Sequence, residues 1–203
     1  MELETYMKVA FGVMAVMILS AVGHANHKAQ KQHGARFAQA ANELPWLLWI
    51  RALLGIPLWV VLIGWLISAR WLPWALVELP VWARWSGVAL AGVVSSLFWW
   101  THLTLGGNYH GTMGLHKHHQ LVTNGPYRFV RHPTYVAFPL TMIALFLLSS
   151  NWLLGLLGFI LTLTISLSRA PIEERQLLER FGDRYRGYAA RTGRFFPRLR
   201  AHP

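Results

Sequence analysis

Apolar residues in this chain do not alternate with polar ones at short intervals. They come in long blocks, separated by short polar stretches rich in arginine, lysine and histidine. A helix that crosses the hydrocarbon layer needs about 20 mostly apolar residues, within a range of about 17–25. Five blocks approach or meet that length: 7–23, 45–69, 82–105, 134–149 and 152–168. The first is short, and Lys8 within it must extend towards the headgroups. Its rival reading is a cleavable leader, but Glu2 and Glu4 make the start acidic where a leader is basic. Only Ser150 and Asn151 separate the fourth block from the fifth, which predicts a tight antiparallel hairpin. Gly12, Gly87 and Gly92 offer places for close helix approach.

Composition agrees with the block pattern. Hydrophobic residues make up 54% of the 203, charged residues only 13%, against about 25% in an average soluble domain. Mean hydropathy is +0.34. The 11 tryptophans lie mostly at block ends, as interfacial belts require. With no cysteine, disulfides, thiolate metal sites and a cysteine nucleophile are excluded. A net charge of +11 suits either nucleic acid or the cationic ends of membrane segments, and the apolar content favours membrane lipid over nucleic acid.

Lysines and arginines then give an orientation. Lys28, Lys31 and Arg36 follow the first block, with Arg51 beyond; Lys117, Arg128 and Arg131 follow the third; nine arginines follow the fifth. With five spans these regions share one side, which places the N-terminus outside and the C-terminus in the cytoplasm. The expected fold is an all-α integral membrane protein of about five transmembrane helices with a C-terminal cytoplasmic helix. Residues 1–105 form three membrane helices on the acceptor side. Residues 106–203 form a polar connection, the helical hairpin and the C-terminal helix, integrated with the rest. Pro171 suits the first turn of that last helix, and Gly182 and Gly187 predict a break or bend within it.

Two stretches carry candidate chemistry. In "GPYRFVRHPTY", residues 125–135, a basic cluster at the headgroups explains Arg128 and Arg131 but not His132 or the tyrosines. Pro133 keeps His132 out of the helical region and suits the first turn of the fourth helix. That end carries the positive dipole and free N–H groups. In "SRAPIEE", Arg169 ends the fifth helix and Glu173 follows four residues later. The bland reading is a surface pair worth a few tenths of a kcal/mol. Since the hairpin brings the start of one helix beside the end of the other, His132 and Tyr135 should face Arg169 and Glu173 across one pocket. The histidine run before residue 120 has no carboxylate or thiolate near it in sequence, and no metal site is expected.

The pattern "HxLVTxGxYxxxRHPxY" from His119 to Tyr135, followed by "RxxxEE", "FGxxYxxY" and "RFFP", resembles the isoprenylcysteine carboxyl methyltransferase family. It is also similar to the wider group containing the phospholipid N-methyltransferases. The likeness runs from about Asn108 to Pro197; the first hundred residues match only as generic membrane helices. The resemblance implies an integral membrane methyltransferase using S-adenosyl-L-methionine. Its cofactor segment would fall on His119, Gln120, Leu121, Val122, Gly125, Tyr127, His132, Pro133, Tyr135 and Glu173. Arg169 would contact the substrate, and Arg169 and Glu173 would serve the reaction. A family glutamine before the His-x-Leu-Val segment has no counterpart; Thr112 or His110 stands there at shorter spacing.

A carboxylate acceptor would need only a cation such as Arg169, whereas an amine would need a base, a histidine or Glu174. The acceptor would be lipophilic and enter from the bilayer, and carboxyl O-methylation of an isoprenylcysteine-like substrate is the leading expectation. N- or S-methylation of a phospholipid or small molecule, an NADPH-dependent membrane reductase and a non-enzymatic membrane protein are the alternatives. Oligomeric state has no signature in the chain.

Overall fold

The computed structural model describes residues 2–33, 45–108 and 120–198, and six α-helices account for most of them. They are α1 (Glu2–His33), α2 (Pro45–Ile67), α3 (Val81–Leu105), α4 (Pro133–Ser149), α5 (Trp152–Phe181) and α6 (Asp183–Arg191). Among the described residues the only β pairings are two isolated bridges. Helices α1, α2, α3 and α5 are long and apolar enough to cross a membrane, and α4 is a shorter apolar helix of 17 residues. At 1.5 Å per residue α4 is about 25 Å long, near the lower limit for a span.

The outward faces say what surrounds these helices. Trp49, Leu53, Ile56, Val60, Ile63 and Ile67 of α2 are all exposed and recur at alternating spacings of four and three. Tyr6, Val9, Val13 and Val16 do the same on α1. A continuous apolar stripe on the outside of a helix is unfavourable in water and matched to lipid. The chain is a multi-pass integral membrane protein.

Helix α4 is central. It packs against α3 on one side and α5 on the other, while α1 lies on α3 and α2 on α5. Glycines set the close approaches. A Cβ on Gly87 of α3 would lie 2.7 Å from Leu147, and one on Gly155 of α5 would lie 2.5 Å from Phe146. Gly158 meets Met142 in the same way. Gly12 and Gly92, by contrast, face open space.

The expected hairpin is present. Ser150 ends α4 in the left-handed region (φ 53°), and its N–H bonds Phe146 O at 2.8 Å. The Asn151 side chain then caps α5 by accepting from Leu154 N at 3.0 Å. The connection after α2 closes over this turn, where Val77 N donates to Ser150 O at 2.8 Å.

Three local expectations change. Helix α1 runs on to His33, well past the apolar block. Helix α5 does not end at Arg169; it continues through Pro171 to Phe181, so Pro171 lies inside a helix and starts none. An internal proline costs roughly 3 kcal/mol. Burial of Ser166 and Ala170 in the turn before it, with Ser166 bonded to Tyr135 O at 3.2 Å, opposes the break. The break falls at Gly182 (φ 51°), as expected, but Gly187 sits inside α6, where buried Tyr185 and Tyr188 hold the helix.

Arg84 shows how the far end is fixed. Only 6% exposed, it bonds Glu4 of α1 and the Leu148 carbonyl of α4, the latter at 2.6 Å. One guanidinium thus ties three helices. Glu4 is 35% exposed, so the loss is that of a charged hydrogen bond to a part-buried partner, about 1.5–3 kcal/mol. Arg84→Ala should therefore lower the thermal unfolding midpoint clearly in detergent or nanodiscs. A midpoint unchanged from wild type would show that the clamp contributes nothing.

Candidate functional site

The first turn of α4 starts from a histidine that proline holds extended. His132 has φ −127° and ψ 64°, and Pro133 opens the helix with no N–H to satisfy. The C-terminal segment reaches this point too. Arg131 N donates to Gly193 O at 2.8 Å and His132 N to Arg194 O at 3.1 Å, forming one parallel bridge at Val130 and Gly193. Gly193 is required there, because an added Cβ would fall 1.8 Å from the Phe196 carbonyl oxygen.

The continuation of α5 lies opposite. Tyr135 OH donates to Glu173, and the His132 ring stacks on Tyr135 with centroids 5.4 Å apart. The ring of Phe195, from the tail, lies tilted to that of His132 with centroids 6.1 Å apart. His132 Nε2 lies 3.2 Å from Glu174 Oε1, and Nδ1 lies 3.7 Å from Glu173 Oε2. Arg169 is one helical turn before Glu173 and half-buried. His132 and Tyr135 thus meet Glu173, and Arg169 stands one turn earlier on the same helix.

The two adjacent glutamates do different things. Glu174, with 12% of its side chain exposed, accepts from Arg131 Nε at 2.8 Å, and Arg194 forks onto it at 3.1 and 2.5 Å. Arg131 continues to the Ala189 and Thr192 carbonyls. This carboxylate is saturated by cations and joins α4, α5, α6 and the tail. Glu173 is 35% exposed and keeps capacity for a ligand. A base at Glu174, considered for an amine acceptor, would have to act from within two guanidinium contacts.

The other predicted residues are placed as follows. Gln120 is exposed, and its N–H donates to Asn108 Oδ1 at 2.9 Å. Leu121 and Val122 are half-buried. Gly125 takes φ 56° and sits so near α3 that a Cβ would meet Thr104 Oγ1 at 2.6 Å. Tyr127 and Pro133 are buried, and the Tyr127 carbonyl accepts from Tyr188 OH at 2.7 Å. Burial pushes the Tyr188 phenol up, helped by Tyr185, so it remains a donor. Burial and then the Glu174 charge push Tyr185 up to about 12. His119, His110 and Thr112 lie outside the described residues. Among the described residues no three His, Cys, Asp or Glu side chains form a metal-binding group.

Sequence reasoning named Glu174 as a candidate base but did not find Arg131 and Arg194 as its partners, and it gave Phe195 no role. The signal lay in the Glu-Glu doublet and in a glycine placed before "RFFP". It also missed His102, 2% exposed on α3, whose Nδ1 lies 2.7 Å from Phe98 O. Phe98, Phe138 and Tyr135 continue an aromatic wall from there to His132. An open apolar groove of about 310 Å³ lies between α4 and α5, lined by Met142, Phe146, Gly155 and Phe159 among others. It is at the hairpin end, distant from the polar cluster, and suits a lipid chain.

Comparison with known proteins agrees with this geometry. Residues 87–179, just under half of the chain, match the sequence model of the isoprenylcysteine carboxyl methyltransferase (ICMT) family. A methanethiol S-methyltransferase of Pseudomonas deceptionensis is 38% identical over 78 residues, which are 38% of this chain and 28% of that one. A protein-S-isoprenylcysteine O-methyltransferase of Schizosaccharomyces pombe is 38% identical over 72 residues, 36% of this chain and 30% of its own. The protein-S-isoprenylcysteine O-methyltransferase B of Arabidopsis thaliana is 32% identical over 76 residues, 37% of this chain and 39% of its own. The matched region spans about a third of the length of these curated relatives. In structure, the chain is similar to the eukaryotic intramembrane Ras methyltransferase ICMT, with TM-score 0.62 and 22% identity over 93% of this chain and 66% of that one. The fold is ICMT-like, and the resemblance read from the motifs stands.

The tail pairing has a direct test. Gly193→Val forces a side chain into the Phe196 carbonyl and should release the segment from 130–132. Limited proteolysis should then cut after Thr192 several-fold faster than in wild type. An unchanged cleavage rate would mean that the pairing does not hold the tail.

Proposed function

We propose that this chain is an S-adenosyl-L-methionine-dependent membrane methyltransferase that methylates the carboxyl group of a lipophilic, isoprenylcysteine-like acceptor. The observation that carries the reading is the meeting of Glu173, Tyr135 and His132 at the membrane face, one turn from Arg169. The residues fit the cofactor. The rings of Tyr135 and Phe195, with centroids 5.4 and 6.1 Å from that of His132, offer aromatic faces near one another, as a sulfonium cation favours. Glu173 offers acceptors to hydroxyl or amino groups. When bound, the cofactor supplies an electrophilic methyl group.

The protein's part is alignment and exclusion of water. His132, Tyr135 and Glu173 would hold the cofactor, with 120–127 closing one side. Arg169 would hold the acceptor carboxylate, bidentately where the geometry allows. A carboxylate is ionised near neutral pH and needs no base. Holding both partners in register converts a two-body encounter into a local one. The acceptor's apolar part remains in the bilayer, and the cofactor arrives from the cytoplasm if the arginine-rich end faces inward.

A thiol acceptor is the second reading, favoured by the likeness to the Pseudomonas deceptionensis enzyme. A thiol must lose its proton, and Glu174, already held by Arg131 and Arg194, is poorly placed to take it.

Calorimetric titration of the purified protein should show S-adenosyl-L-methionine binding, weakened more than tenfold by His132→Ala or Glu173→Ala. Affinity that survives both changes would move the cofactor elsewhere. Arg169→Ala should lower kcat/KM for the acceptor by about 100-fold or more while leaving cofactor affinity near wild type, the loss expected of one charge-assisted clamp. Labelled methyl transferred to membrane extracts should be released by base, as from an ester. Base-stable label would instead establish an S- or N-methyl product.

A further inference from the structure

The C-terminal segment 192–198 does more than tether. Its Arg194 grips both oxygens of Glu174, and Arg131 approaches the same carboxylate from the start of α4. Glu174 Oε1 then faces His132 Nε2 at 3.2 Å. An ionised carboxylate accepts and does not donate, so the nitrogen facing it carries the proton, and Arg131 and Arg194 hold Glu174 in the orientation that faces Nε2. In the neutral ring Nδ1 is then the lone-pair atom. It lies 3.7 Å from Glu173 Oε2, beyond direct hydrogen-bonding distance. Two acceptors thus flank one gap, and a hydroxyl or amino donor is the chemistry that satisfies both.

We propose that Arg194 is a positioning residue for the cofactor site. With Arg131 it locks Glu174, which keeps the His132 proton on Nε2 and turns Nδ1, beside Glu173, to a hydrogen-bond donor of the methyl-donor cofactor. The assignment rests on the methyltransferase reading for the identity of that ligand. It does not rest on it for the state of the imidazole. A simple cross-brace between tail and helix would stiffen the tail but would not select a tautomer.

The test uses nitrogen-15 histidine labelling of the full chain in nanodiscs, first without cofactor. The His132 signals are identified by their loss in His132→Asn. Wild type should show the Nε2–H tautomer. In Arg194→Gln that preference should fade into a mixture, and the dissociation constant for S-adenosyl-L-methionine should rise about tenfold, the scale of one lost hydrogen bond. Arg194→Lys, which keeps the charge and one donor direction, should recover part of both effects.

Glu174→Gln gives an opposite signature and serves where Arg194→Gln does not fold. Two guanidiniums then compete for one amide oxygen, so the NH2 group turns to Nε2 and the ring proton moves to Nδ1. An unchanged Nε2–H tautomer in a folded Arg194→Gln or Glu174→Gln protein would overturn the proposal. So would a wild-type ring that carries its proton on Nδ1. If wild type binds no S-adenosyl-L-methionine, the functional reading falls, while the cofactor-free spectra still decide whether Arg194 sets the imidazole.

Discussion

Everything at the site depends on α5 continuing past the membrane without a break. Its apolar part ends at Ser168, and Glu173 lies five residues further on, roughly 7–8 Å along the axis. A helix that stopped at Arg169 and restarted at Pro171 would free the two glutamates to point anywhere. Instead they are carried on a rigid rod back over the first turn of α4. Tyr135 can then bond Glu173 while His132 meets both carboxylates. The proline in the rod is a local cost carried by the packing around it, since Ala170 is wholly buried and Ser166 bonds across to α4.

The neighbouring glutamates also resolve a problem of charge. Two carboxylates placed side by side around one imidazole would repel each other. Arg131 and Arg194 remove that conflict by engaging Glu174 on both oxygens. The remaining half-exposed carboxylate, Glu173, can then meet a polar or cationic ligand. One member of the pair thus builds the site and the other faces into it. Adjacent residues on a helix point about 100° apart, so such a division of labour follows from helix geometry once one of them is pinned.

The spans, the hairpin and the meeting of His132 with Glu173 were legible because each rests on a local signal. Block length, a two-residue turn and an Arg-His-Pro before an apolar run can be read without knowing what lies opposite. The path of α5 through Pro171 was not legible. Proline's own preference pointed to a helix start, and contacts with α4 decided otherwise. The role of Arg84 was not legible either, because its partners, Glu4 and Leu148, are 80 and 64 residues away. Arg194 was hidden for the same reason, twenty residues from Glu174 in a stretch where arginine is common. Gly87 could be distinguished from Gly12 and Gly92 only by the helix that meets it.

Register links the two ends of the molecule. At the hairpin end, Gly155 and Gly158 admit Phe146 and Met142 into the face of α5, and Arg84 holds the end of α4 to α1 and α3. At the other end, Tyr135 must meet Glu173 and Ser166 must meet the Tyr135 carbonyl. A slip of one residue along the α4–α5 seam would turn a side chain by about 100° and shift it by 1.5 Å. That is enough to separate Tyr135 from Glu173. The glycines and the buried arginine therefore act on the polar cluster through helix position alone, although they touch none of its residues. This also explains why the polar cluster can carry so short a sequence signature: most of what places those residues is the packing of apolar helices against one another.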